Sequence, residues 1–243
     1  MSQSRNHLGQ PIGAPVANWT PRARPPHTPI TGRFCQIQKL DPAAHAAELF
    51  EGNRLDVEGR NWTYLPYGPF QKLDEYRAWL DAIAQAEDPL FHTIVDLSSG
   101  KAAGIASLMR IDSPNGVIEV GHINYSPLLQ RKPHATEAMF LLMSRVFDEL
   151  SYRRYEWKCD NCNFPSRAAA ERYGFTFEAV FRQAVVYRER NRDTAWFSIV
   201  DSEWPAIKRA YQRWLAPANF DAAGIQQQPL STFMTDERLV VAG

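Results

Sequence analysis

Apolar and polar positions change period several times along this chain, and each change marks an element. Alternation over 34–40 predicts a short strand. Asp41-Pro42 then reads as a helix start, with Asp as the cap and Pro at the first helical position. That helix runs to about Phe50, and a loop rich in Gly, Asn, Trp and Tyr follows over 58–70. Tyr76, Trp79, Leu80 and Ile83 fall at helical spacing on one face and predict a helix over 73–86. Strands are predicted next at 90–97, 102–111 and 117–125. Ser98-Ser99-Gly100-Lys101 joins the first two, and Ser113-Pro114-Asn115-Gly116, with its Asn-Gly hairpin signal, joins the second and third. The three make an antiparallel meander.

The second half changes character. Residues 135–150 are a strongly helical run, and 154–158 are a strand of Tyr, Glu and Trp. A short helix over 165–173 ends at Gly174, in the place where glycine terminates helices. Strands at 175–187 and 194–200 flank the charged turn 188–193, and a last helix covers 204–215 with Pro205 near its start. The order β-α-α-β-β-β-α-β-α-β-β-α predicts one α/β domain over 34–215, a mixed, mostly antiparallel central sheet flanked by helices. Residues 1–33 carry Pro11, Pro15, Pro21, Pro25, Pro26 and Pro29, which interrupt every periodicity. They read as an arm, either loose or strapped down through Trp19. Residues 216–243 are Gln-rich with no clear helical face and read as a second tail.

Composition narrows the function. Apolar residues make up 44%, enough for a sizeable core. Lys plus Arg and Asp plus Glu both number 27, so no global charge draws the chain to nucleic acid or to a membrane. No stretch approaches the ~20 apolar residues of a membrane-spanning helix. The first seven residues lack the apolar core of a signal peptide, and 3 cysteines do not make a disulfide framework. A reduced, cytoplasmic setting is the expectation, with no nucleic-acid or membrane partner; a homodimer is compatible with it.

The most informative stretch is Gln130-Arg131-Lys132-Pro133-His134-Ala135-Thr136-Glu137-Ala138, between a strand and a helix. A helix start offers unpaired N–H groups and positive dipole, a natural seat for phosphate, and Arg131 and Lys132 add charge. Before it stands Val117-Ile118-Glu119-Val120-Gly121-His122; after the next strand come Asn163-Phe164-Pro165-Ser166 and Gly174-Phe175. These segments, in this order over roughly 34–215, resemble the GNAT acetyltransferases, in particular the branch of ribosomal-protein N-terminal alanine acetyltransferases. One departure stands out: the usual loop glycine is Pro133, which lacks an N–H and has a fixed φ.

The resemblance implies acetyl-CoA as cosubstrate and an amine acceptor, with no metal. It places the diphosphate on Gln130, Arg131, Lys132, His134, Ala135 and Thr136, and the pantetheine beside Ile123, Tyr125 and Asn163. Glu119 is then the candidate base and Ser166 the candidate proton donor to the leaving thiolate. The family's alternative tyrosine donor, four residues before Gly174, is Ala170 here. Arg60, Asn61 and Tyr64, in the loop between the first two helices, are candidate acceptor contacts. Direct transfer in a ternary complex is the expected mechanism. Two rival readings are a non-catalytic CoA-binding module, on account of Pro133, and a thiol redox protein built on Cys159-Asp160-Asn161-Cys162. No second cysteine pair stands by to complete a zinc site.

Overall fold

A computed structural model of the chain describes residues 4–242; residues 1–3 of the expected arm and residue 243 of the expected tail lie outside them. Strands β1 (Ser4–Arg5) and β2 (Pro11–Ile12) form a small hairpin at the start of the arm. Strand β3 (Ile30–Thr31) closes the arm by pairing with β4 (Cys35–Lys39). Helix α1 (Pro42–Arg54) begins as its sequence requires, with the Asp41 carboxylate accepting the Ala43 and Ala44 amides. Helix α2 (Leu73–Ala84) buries Tyr76, Leu80 and Ala84. The meander is β5 (Leu90–Asp96), β6 (Lys101–Asp112) and β7 (Val117–Tyr125). Then come α3 (Pro133–Ser144), β8 (Arg154–Asp160), α4 (Phe164–Arg172), β9 (Thr176–Tyr187), β10 (Arg190–Val200) and α5 (Trp204–Leu215).

Eight strands make one sheet in the order β3-β4-β5-β6-β7-β8-β10-β9. Every neighbouring pair is antiparallel except β7 with β8. Helices α1 and α2 cover a smaller core of Leu49, Phe50, Trp62, Tyr76, Leu80, Phe91 and Ile105. A larger core centres on Met139, Leu142, Tyr155, Phe197, Tyr211 and Trp214. The predicted helix over 135–150 is two pieces: α3, then a wider π-type turn over Arg145–Glu149. The turn carries Arg145, buried, whose guanidinium donates to the Pro26 and Thr28 carbonyls and to Thr28 Oγ1.

That contact is one of several that hold the arm down. Trp19 has the Arg22 and Arg153 guanidiniums over its ring and donates its indole N–H to the Pro114 carbonyl at 2.7 Å. Tyr152 Oη donates to the Ala23 carbonyl. Where the arm enters the domain, the buried Glu137 carboxylate accepts three successive amides, Arg33, Phe34 and Cys35, at 2.7, 2.6 and 2.9 Å. Gly32 passes so close that a Cβ there would overlap this carboxylate. Charge-assisted bonds of this kind are the strong ones, so a loose arm is not what the chain forms.

The C-terminal segment corrects an expectation. Instead of a featureless tail, it contains helix α6 (Leu230–Ala242), packed on α5. Leu230, Phe233 and Met234 are buried at helical spacing, and Glu237 completes the same face by pairing with Arg209 and Arg213. A carboxylate at the fourth position of the stripe hid the helix from a purely apolar pattern.

Candidate active site

The parallel register of β7 and β8 runs only from Val117 opposite Arg154 to Val120 opposite Trp157. Both strands continue, β7 to Tyr125 and β8 to Asp160, with no pairing between them. β7 bends here: His122 has a left-handed φ of 50°, and the β6–β7 register slips between the Ile105–Asn124 and Ser107–Gly121 pairings. β8 stays in register with β10 through Asp160 opposite Thr194. The strands thus part like a fork, and their facing backbone groups are left for another partner.

Two cavities lie along the fork. The first, of about 270 Å³, is lined by Glu119, residues 120–123 of β7, residues 157–160 of β8, Asn163, Ser166, Asn61 and Tyr64. The second, of about 680 Å³, is lined by Tyr125, Gln130, Arg131, Lys132, the first turn of α3 and Arg172. Pro133 occupies the first turn of α3, where its missing N–H is one the helix does not need. No side chain caps that helix start, and Arg131 takes the left-handed conformation that the loop requires at φ 58°. Arg172 reaches over from α4 and donates to Thr136 Oγ1 at 3.1 Å. Three cations therefore line the cavity at an uncapped helix N-terminus, an arrangement suited to a diphosphate.

Glu119 is 4% exposed, and its Oε2 receives both Lys158 Nζ and Arg110 Nη1, each at 2.9 Å. Lys158, whose side chain is also buried, pairs with Glu156 at 2.8 Å and lies 3.8 Å from the centre of the Trp196 ring. Arg154 follows on Glu156 at 2.6 Å and on Glu178 at 2.7 Å. Charges alternate without a break from Arg110 to Glu178, and Lys158 sits where the strands part. Burial by itself would raise the Glu156 carboxyl; hydrogen bonds from Lys158 and Arg154 outweigh it and hold the group below its usual range.

Ser166 is placed by its neighbours. Asn163 caps α4 by accepting the Ser166 amide at 3.1 Å, and Ser166 Oγ accepts the Trp157 indole N–H at 3.0 Å. With an oxygen lone pair already used, the hydroxyl proton is left to be donated. His122 hydrogen-bonds Tyr67 through Nδ1 at 3.0 Å; burial, helped by Arg110, lowers its pKa to about 4 and keeps it neutral. Burial pushes the Cys159 thiol up, which disfavours the thiolate; Cys162 is exposed. Among the described residues no group of three or more His, Cys, Asp or Glu could hold a metal ion.

The other expected residues divide. Ile123 lines the first cavity, and Tyr125, Gln130, Ala135 and Thr136 line the second. Gln130 Nε2 also donates to the Tyr125 carbonyl and to Asn61 Oδ1, which ties the helix 1–2 loop to the fork. Tyr64 closes over the site by donating to the Cys162 carbonyl at 2.9 Å. Arg60 lines neither cavity: it is exposed and pairs with Glu58, two residues away along the chain. The His134 side chain also turns away, toward Asp96 at 3.3 Å, and His134 lines neither cavity. Lys158, Arg110 and Arg172 were not singled out in the sequence. Alternating charge at Arg154, Glu156 and Lys158 was the available signal for the first.

Known proteins share this fold. The family description "Acetyltransferase (GNAT) domain" matches residues 37–176. A GCN5-related N-acetyltransferase from Brucella melitensis is 51% identical, with a TM-score of 0.88 over 90% of this chain and 100% of that one. A GNAT-family structure from Chromobacterium violaceum is 40% identical, with a TM-score of 0.73 over 81% of this chain and 98% of that one. The microcin C7 self-immunity acetyltransferase, solved with acetyl-CoA and AMP, shares the fold at 22% identity and a TM-score of 0.60, over 70% of this chain and 93% of that one. No match was found among curated protein sequences. On the matched domain and the Brucella relative together, this chain belongs to the GNAT acetyltransferase family.

Proposed function

We propose that this chain moves the acetyl group of acetyl-CoA to a primary amine, directly, in a ternary complex. The observation that carries the reading is the fork: an unpaired strand edge with a cationic helix start on one side and Glu119 with Ser166 on the other. The pantetheine arm would add to the open edge of β7 as a short strand does, beside Ile123, Tyr125 and Asn163. The diphosphate would sit on residues 130–136 with Arg131, Lys132 and Arg172. The amine would enter past Asn61 and Tyr64.

In the transfer step the amine nitrogen bonds to the thioester carbon and the carbon–sulfur bond breaks. The amine proton leaves to Glu119, directly or through a water. The CoA thiolate takes the Ser166 proton, and solvent restores it. Burial of Cys159 with a raised thiol pKa favours this direct route over an acetyl-cysteine intermediate. The test is calorimetric titration with acetyl-CoA, followed by thiol release across a panel of primary amines. Micromolar binding and amine-dependent release are expected. Binding without release on any amine would leave a CoA-binding module instead.

A further inference from the structure

The first cavity holds more positive charge than acetyl transfer uses. Arg110 and Lys158 line it, and both are paired with Glu119. Arg192 lines it too, from β10, and is different. Its side chain makes no hydrogen bond or ion pair among the described residues, and its Nε is buried without a partner. Two residues on, Thr194 is 5% exposed and its Oγ1 likewise has no partner. Thr194 stands opposite Asp160, itself a cavity residue, and the β9–β10 register slips between Arg192 and Thr194.

A half-buried guanidinium without a counter-ion is costly unless a ligand supplies one. The diphosphate is not that ligand, because its cations, Arg131, Lys132 and Arg172, line the other cavity. Nor is Arg192 just one more charge on a solvated hairpin. Arg190 is exposed, Arg188 donates to the Gly68 carbonyl, and neither lines the cavity. The same cavity also holds Glu119, the proposed base for the amine. We infer that the acceptor amine carries a carboxylate, and that Arg192 is the residue that reads it. A planar guanidinium fork matches a carboxylate in two bonds. The inference rests on the proposed acetyl transfer and names its acceptor class. The carboxylate belongs either to a free amino acid or to an acidic side chain near a peptide N-terminus.

The test is a matched acceptor series with wild type, Arg192→Gln and Arg190→Gln. It pairs free α-amino acids with their methyl esters, and tetrapeptides bearing Glu at the second position with those bearing Gln. Wild type is expected to favour the acid of a pair by about tenfold or more in kcat/KM. Arg192→Gln should abolish that preference while leaving the uncharged partner and acetyl-CoA affinity within about twofold. Arg190→Gln should keep it. A preference in the amino-acid pairs identifies free amino acids, and one confined to the peptide pairs identifies acidic N-termini. Equal rates within every wild-type pair, or an equal loss for acid and ester in Arg192→Gln, would overturn the inference. Calorimetry of the same series on the protein–CoA complex separates it from the transfer reading. If no amine is acetylated, acid-selective binding that Arg192→Gln removes upholds the carboxylate site alone, whereas unselective or absent binding overturns it.

Discussion

Over residues 117–120 and 154–157, β7 and β8 are an ordinary parallel pair, zipped by backbone hydrogen bonds and crossed by the Glu119–Lys158–Glu156–Arg154 chain of charges. From Gly121 and Lys158 onward the same two strands part, β7 bends at His122, and polar side chains look into a cavity. The closed half spends its polar groups on itself, which fixes the register. The open half leaves its facing backbone edges unpaired, which opens a cavity between the strands. Lys158 belongs to both, because it binds a carboxylate from each strand at the point of parting. Stability and chemistry therefore meet in one residue.

The largest effect should come from breaking that junction. Lys158→Met leaves Glu119 and Glu156 buried beside each other without their shared cation. Losing one member of a buried ion network costs about 3–5 kcal/mol. Urea unfolding should show a loss of that order; a loss under about 1 kcal/mol would mean that backbone pairing alone holds the fork.

The open half can be tested from its cofactor end. Alanine at Arg131 or at Lys132 should weaken acetyl-CoA roughly five- to thirtyfold each, and less so in high salt. Unchanged affinity in the double variant would put the diphosphate elsewhere. Ser166→Ala should lower the turnover number roughly tenfold with acetyl-CoA affinity kept, since water can replace its proton. A change confined to affinity would make Ser166 a positioning group for α4 only.

Much of this was legible before the structure. Segment order, the Asp41 cap and the loop before α3 all follow from local pattern, and local pattern is what a single sequence records. Glu137 is instructive. It belonged to a recognisable motif, yet its work, clamping three amides of the incoming arm, depends on residues about 100 positions away. Lys158 escaped notice for the same reason: charge alternation on β8 acquires meaning only once Glu119 is known to lie opposite Glu156. Arg60 was assigned by its loop, but the loop turns its two neighbours in different directions, Asn61 inward and Arg60 to the surface.

The smallest expected effect is in pH dependence. His122 in the open half titrates near 4 when folded and near 6.5 when unfolded. The unfolded chain therefore binds the proton more readily between those values. The stability that His122 contributes is complete above about pH 6.5 and is lost as pH falls toward 4. His122→Gln should accordingly lose less melting temperature than wild type between pH 6.5 and 4.5. Parallel losses would mean that His122 is not held neutral by the fold.

The central claim is that the charge chain of the closed half ends on a carboxylate that works in the open half. A pH–rate profile of wild type and Glu119→Gln, with one good amine and with acetyl-CoA affinity measured alongside, tests it most directly. Glu119→Gln is expected to lower the turnover number about 10²-fold or more at neutral pH, to recover part of it at higher pH where free amine is abundant, and to leave acetyl-CoA binding nearly unchanged. Two profiles of the same shape that differ by less than about threefold in height would contradict it, and would leave Glu119 as a purely structural partner of Lys158 and Arg110.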